Sequence, residues 1–514
     1  MSVSEPYPGE ERMPEGAGMS VSESERMGVQ AYEPVIGLEV HCELSTETKL
    51  FCGCPNEFGA EPNTHVCPVC LGLPGSLPVL NEQSVEYALR FADAAHLRVP
   101  EQSTFARKNY FYPDMPKDYQ ISQYDDPITV DGWIDVDGGR VGIERAHLEE
   151  DTGKTVHVGG GGRIHEADHS LVDYNRAGVP LMEIVSRPDI RSAEHARAYV
   201  TELRGVLQAI GVSDVKMEEG SMRVDANVSV RPIGTSELGT KVEVKNMNSL
   251  RSLGRAIEYE IERQIGALES GERIVQETRH WDEADGRTHS MRTKEGSSDY
   301  RYFPEPDLVP VAPTDEMRDR VRTSLPELPA HRRARLQEAW GISDNEARVL
   351  IATPGLADYA EAAVDSLDGG SARDVVKWAN GEVLGHLNES GLSPEVLPLA
   401  PDGLAELVGL VDAGLISRSQ AKDVLGECLS EPKRPKQVVA ERGLSQVSDA
   451  GAIGAVVDEV LAANADAVEE YRTGDDKVRK KKRGFITGEV MRALRGQGNP
   501  KVVNELLDEK LAAG

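Results

Sequence analysis

Between residues 37 and 44 apolar and polar side chains alternate. Leu38, Val40, Cys42 and Leu44 fall on one side, and Glu39, His41 and Glu43 on the other. A period of two predicts a strand with one face buried. The device recurs in Arg223–Arg231, whose polar face displays Arg223, Asp225, Asn227, Ser229 and Arg231, and again in Lys241–Asn246. Short β-like runs divided by Gly and Pro fill residues 32–325, with two helical patterns among them. One helix runs near 193–211; the other follows Asn248-Ser249, good N-cap residues, and ends near Gly271. Many short strands with segregated helices predict an α+β domain with a largely antiparallel sheet over 32–325. From 326 the pattern is helical nearly throughout, and Pro394, Pro398 and Pro401 place a break near 400. The reading is therefore a helical domain over 326–400 and a small helical tail domain over 401–514. Residues 1–31 hold little to bury and are expected to be disordered. Within them Met1–Glu5 recurs as Met19–Glu23, either a duplication or a sign that Met19 is the start.

Composition changes this picture in three ways. A chain of 514 residues is too long for one core. No run of eighteen apolar residues exists and no secretion signal opens the chain, so no membrane partner and a cytoplasmic location are expected. The formal net charge is -30. Such a charge repels itself in dilute solution but is tolerable near molar salt, where the Debye length is about 3 Å. A halophilic, haloarchaeal-like cytoplasm is the corresponding expectation. Nucleic acid would then have to be held by a local basic patch. Lys477, Arg479, Lys480, Lys481, Lys482 and Arg483 supply one, and we read it as contact with a nucleic-acid backbone rather than a solvated linker.

Cys52-Gly-Cys54 and Cys67-Pro-Val-Cys70 form two close pairs twelve residues apart. That spacing matches a tetrahedral four-sulfur zinc site, closed and therefore structural. Glu183 sits inside the apolar run Val179–Val185 and needs a partner, either Arg176 or a cation. Glu149, Glu150 and Asp151 form a compact acidic group, which is a solvated loop unless it turns inward. With Glu39 and His41 these carboxylates could hold a divalent ion such as magnesium beside nucleotide phosphates. Asp151–Thr155 ends like a phosphate-binding loop, but Leu148 stands where its first glycine belongs, so ATP would bind without that motif. Phe105–Asp114 and Asp299–Phe303 interleave cations with aromatics, which suits phosphate contact plus stacking on a base or ribose.

Five strings taken together resemble the GatB family of tRNA-dependent amidotransferase proteins: Gly37–Leu44, Arg107–Asp114, His147–Lys154, Asp173–Pro180 and Asp299–Pro304. The resemblance runs from about residue 32 to the C-terminus. It implies a catalytic domain similar to glutamine synthetase and a tail resembling the YqeY module that grips tRNA. It implies ATP-dependent phosphorylation of the side-chain carboxyl of misacylated Asp- or Glu-tRNA, followed by amidation with tunnelled ammonia. The ammonia comes from an amidase partner, and a third, small protein makes up the heterotrimer. The implied magnesium positions are Glu39, His41, Glu150 and Glu183, with Glu149 competing for the third place and Glu43 assisting. Arg107, Arg223 and Lys245 are the implied phosphate contacts. No amidase signature appears in the chain, so its nitrogen must come from elsewhere. A catalytically silent tRNA-binding scaffold is the alternative.

Overall fold

A computed structural model describes residues 31–159, 167–293, 300–444, 450–494 and 498–512. Expectations about residues 1–30 fall outside these. The chain divides into two compact units, Met1–Pro329 and Ala330–Gly514.

The strands of the first unit, in chain order, are β1 (Tyr32–Glu43), β2 (Ala106–Asn109), β3 (Tyr119–Ser122), β4 (Thr129–Val136), β5 (Gly139–Glu150), β6 (Lys154–Val158), β7 (His169–Asp173), β8 (Pro180–Ser186), β9 (Met222–Pro232), β10 (Val242–Met247), β11 (Glu277–Asp282), β12 (Arg287–Thr293) and β13 (Phe303–Pro304). Eight of them form one sheet in the order β12-β11-β10-β9-β1-β8-β5-β4. Every junction is antiparallel except β10–β11. Strands β13-β2-β3 form a small second sheet, and β6 pairs with β7.

The alternation read in the sequence decides which face of the large sheet is dry. Leu38, Val40 and Cys42 on β1, Met182 and Ile184 on β8, and Val224, Ala226 and Val228 on β9 are almost wholly buried. The helices Ala193–Ala209 and Leu250–Glu269 bring Leu203, Leu207, Leu253 and Ile257 into the same core. Each helix starts at a serine, Ser192 or Ser249, whose hydroxyl accepts a first-turn amide. Burying apolar area on this face leaves the polar alternates of β1, β5, β8, β9 and β10 gathered on the other.

The second unit is helical. Its main hydrophobic cluster runs from Leu336 to Val439, through residue 400 without a break, because the buried Tyr359 hydroxyl bonds the Leu399 carbonyl and the helix Pro401–Asp412 supplies Leu404 and Leu407 to it. A separate cluster, Ile453 to Leu511, holds the last helices together. The cores thus part after residue 439 rather than at 400.

Candidate functional site

Register on the central strands sets the site. His41 stands opposite Glu183, and Glu183 stands opposite His147. Glu149, two residues beyond His147 on β5, shares its face. The four side chains converge. His41 Nε2 lies 3.5 Å from Glu183 Oε2 and 3.8 Å from Glu149 Oε1. His147 Nε2 lies 3.4 Å from Glu183 Oε2 and 3.8 Å from Glu149 Oε2.

These spacings are long for hydrogen bonds and suit ligands of a common centre. Atoms about 2.1 Å from an octahedral cation stand about 3.0 Å apart when adjacent and about 4.2 Å when opposite. The observed separations fall between, and the ligand atoms of His41, Glu149 and Glu183 all lie within 4.8 Å of one another. The residues therefore fit a divalent cation.

Charge compensation is already built around them. Burial works against ionising Glu183, but His147 and His41, and beyond them Lys108, hold its pKa well below the usual carboxylate value. Burial is likewise outweighed at Glu149, where Lys108 and His147 lower the pKa against the repulsion of Glu183. For His41 burial lowers the pKa, yet the neighbouring carboxylates of Glu183 and Glu149 leave it raised. Lys108 is kept charged in spite of burial, chiefly by Glu149.

Two expected site residues point elsewhere. Glu150, the neighbour of Glu149, faces the opposite side of the sheet. It accepts from Lys117 and, at 2.9 Å, from the Ile121 amide, and it lines a cavity shared with Cys52 and Cys70. Glu149, which accepts from the Ser122 hydroxyl at 3.0 Å, takes the place assigned to it. Arg107 is held by Glu305 at 2.7 Å and stacks on Tyr119, so its guanidinium is spent structurally. Its neighbour Lys108, on the other face of β2, reaches the acidic cluster instead. Period-two alternation causes both exchanges: one step along a strand reverses the side chain.

Glu39 is on the cluster's face but, among the described residues, outside the close group of ligand atoms; it accepts from Asn227 Nδ2 at 2.8 Å. Arg223 bonds Asp151 at 2.8 Å and Lys245 pairs with Asp225 and Glu243, so both cations stand on this face with carboxylates already beside them. Glu43 is pushed up to about 8 by burial and by Asp151. Arg176 pairs with Asp151, not with Glu183. His147, Lys108 and Ser122 were not singled out from sequence, and Asn227 was read only as one polar residue of its strand. The string His147–Lys154 contained the first, but only the pairing of β5 with β8 shows that it joins His41.

The four cysteines close into a second candidate metal centre, with ligand sulfurs within 4.8 Å of one another. A tetrahedron with 2.3 Å bonds has edges of about 3.8 Å, and Cys67 and Cys70 sulfurs are 3.9 Å apart. Lys49 is wholly buried behind them, donating to the His65 carbonyl at 2.7 Å, and its charge helps the Cys52 hydrogen bond to lower the Cys70 pKa. Thiolate is favoured at Cys70 only; the Cys70 hydrogen bond and burial push the Cys52 thiol up, and burial and Cys67 push up that of Cys54, while the spacing of the four sulfurs fits a metal ion.

In the second unit the basic run lies on the helix Asp476–Ala493. Arg483 grips Asp508 through two bonds of 2.8 and 2.9 Å, and Lys482 pairs with Glu470 at 2.8 Å. These two tie helices together. Lys477, Lys480 and Lys481 stand exposed on the same helix, as does Arg479, which donates to the Arg472 carbonyl.

Residues 34–319 match the family model of the GatB/GatE catalytic domain, and residues 358–511 match that of the GatB domain. The chain belongs to the GatB family. Relatives are similar along nearly the whole length. The B subunit of the aspartyl/glutamyl-tRNA(Asn/Gln) amidotransferase of Moorella thermoacetica is 54% identical over 93% of this chain and 100% of its own. That of Carboxydothermus hydrogenoformans is 52% identical over 94% and 100%. That of Nocardia farcinica is 52% identical over 93% and 96%. These GatB relatives are bacterial, which gives the haloarchaeal expectation no support. Among the described residues no helix is long and apolar enough to cross a membrane.

Proposed function

We propose that the chain is the kinase-like member of a cytoplasmic tRNA-dependent amidotransferase. Its GatB family places it as the B subunit of such an enzyme, a carbon–nitrogen ligase complex with glutamine as amide donor. The observation that carries the finer reading is the convergence of His41, His147, Glu149 and Glu183 on one polar sheet face. His41, Glu149 and Glu183, with His147 beside them, would hold magnesium, which when bound would neutralise nucleotide phosphate charge. Lys108, Arg223 and Lys245 bring further positive charge to the same face, where developing charge on a transferring phosphoryl group would be stabilised.

In this reading the side-chain carboxylate of a misacylated Asp- or Glu-tRNA attacks the terminal phosphorus of ATP, and ADP leaves. Ammonia then attacks the acyl carbon, inorganic phosphate departs, and the nitrogen loses a proton to give the amide. The amidase partner supplies the ammonia, and a small third protein completes the heterotrimer. The fold of the catalytic unit would be that of glutamine synthetase. The four-cysteine centre would hold structural zinc, and the basic helix Asp476–Ala493 would grip the tRNA backbone. The high negative charge would still suit a saline cytoplasm. Domain limits near 329, rather than 325, and near 440 would accord with the separate cores.

The test is amide formation by the complex with its amidase partner, on Asp-tRNA and on Glu-tRNA, with and without ATP. Product that requires ATP is expected. Product without ATP would refute the kinase role.

A further inference from the structure

Six of the chain's 14 tyrosines lie in two short stretches, Tyr110–Tyr124 and Tyr300–Tyr302, and four of them touch in file. Tyr110 meets Tyr300 edge-to-face at 6.2 Å, Tyr300 meets Tyr302 edge-to-face at 6.2 Å, and Tyr302 stacks on Tyr124 at 4.1 Å, 9° from parallel. The middle of the file faces the acidic cluster: Lys108 Nζ sits 5.2 Å over the Tyr300 ring, and Tyr302 feels the charges of Lys108, Glu149 and Glu183. The Tyr124 end is open, with that residue 39% exposed, and Phe111, next in sequence to Tyr110 at the other end, is 85% exposed.

The file is held in place at some conformational cost. Arg301, between two of its tyrosines, has φ 45°, a left-handed conformation that a long side chain rarely adopts. Asn109 Nδ2 fixes it by donating to the Arg301 carbonyl at 2.8 Å and to the Tyr300 carbonyl at 3.2 Å. Strain of this kind persists where surrounding bonds over-determine it, which is common at binding sites. The rings are turned roughly perpendicular from Tyr110 to Tyr302, and Tyr124, stacked on Tyr302 by one face, is 39% exposed.

We propose that this file is a stacking track for the unpaired 3′ nucleotides of the aminoacylated RNA, leading the charged end from solvent to Lys108, Glu149 and Glu183. The inference rests on the tRNA reading above and names a subsite within it. Aromatic rings with an adjacent cation are the usual platform for single-stranded bases. Several rings in sequence suit several bases, whereas ATP carries one. Exposed Asp125 and Asp126 flank Tyr124, so the mouth offers ring faces rather than phosphate contacts, and salt should affect this subsite little.

The probe is a tRNA transcript whose terminal adenosine is replaced by fluorescent 2-aminopurine, titrated with the full chain. Binding is expected to quench the fluorophore. Tyr302→Leu and the exposed Tyr124→Leu should abolish the quench, while Tyr302→Phe, which keeps the ring, should retain it. Loss of one stacked base weakens affinity roughly 5- to 100-fold where it is the main contact. A quench unchanged in both Leu variants, or absent in the wild type despite tRNA binding, overturns the track and leaves the tRNA reading intact. No tRNA binding at all overturns both. Recovery of fluorescence on adding ATP assigns the rings to the nucleotide's base and overturns the RNA assignment.

Discussion

The acidic cluster on the sheet and the basic run on the C-terminal helix use charge in opposite ways. On the sheet Glu149 is buried and Glu183 nearly so, they repel each other, and they persist because His41, His147 and Lys108 surround them. On the helix the cations are mostly exposed and spread along one element, and among the described residues those of the run paired with carboxylates are Lys482 and Arg483. Buried charge demands a partner at a fixed distance, so one residue's direction decides what it can do. Exposed charge acts through its sum, so no single lysine is decisive.

Glu183→Gln should break the buried half most severely. Amide formation should fall by roughly a thousandfold or more, as expected for losing a metal ligand and its electrostatics, while tRNA binding measured by filter retention stays within about twofold. An unaffected rate would leave the chain a scaffold.

The neighbouring glutamates sharpen the contrast. Glu149→Gln should abolish magnesium binding seen by calorimetry, whereas Glu150→Gln should leave it and instead lower the melting temperature, because Lys117 is left unpaired in a buried site. The reverse result would mean that the strand register is misread.

pH should act only on the sheet. Coordination needs an unprotonated His41, whose pKa stands above its ordinary 6.5. Magnesium affinity should therefore decline as pH falls through that raised value, by up to about tenfold per unit. The metal-free chain behaves inversely: the stability it draws from protonated His41 is complete below about 6.5 and is lost as pH rises through the raised value. An affinity flat between pH 8 and 6 would remove His41 from the ligand set.

The smallest effects belong to the helix. Lys480→Glu with Lys481→Glu should weaken tRNA binding several-fold and make its salt slope about two units shallower. Arg483→Ala should change the slope least, since its guanidinium already belongs to Asp508.

How much of this was legible in the sequence follows the same division. The exposed basic run needed only composition. The dry face of β1 needed only alternation, and Leu38, Val40 and Cys42 are indeed buried. The four-cysteine cluster followed from spacing alone. Choosing Glu149 over Glu150, or Lys108 over Arg107, required knowing which strand each would meet. Those pairings, His41 with Glu183 and Glu183 with His147, are set by tertiary register, and the first joins segments more than a hundred residues apart. The run of apolar residues through 400 was interrupted by prolines in sequence, but Pro401 merely starts a helix, where its missing amide costs nothing.

That long reach has a consequence for biosynthesis. β1 leaves the ribosome early, yet Leu38 bonds a residue 148 positions later and Val35 one 194 positions later. At about 5–20 residues per second, its apolar side waits roughly 10 to 40 seconds for a neighbour. A nascent chain in that interval is a natural client for holding chaperones, and slower translation would lengthen its exposure.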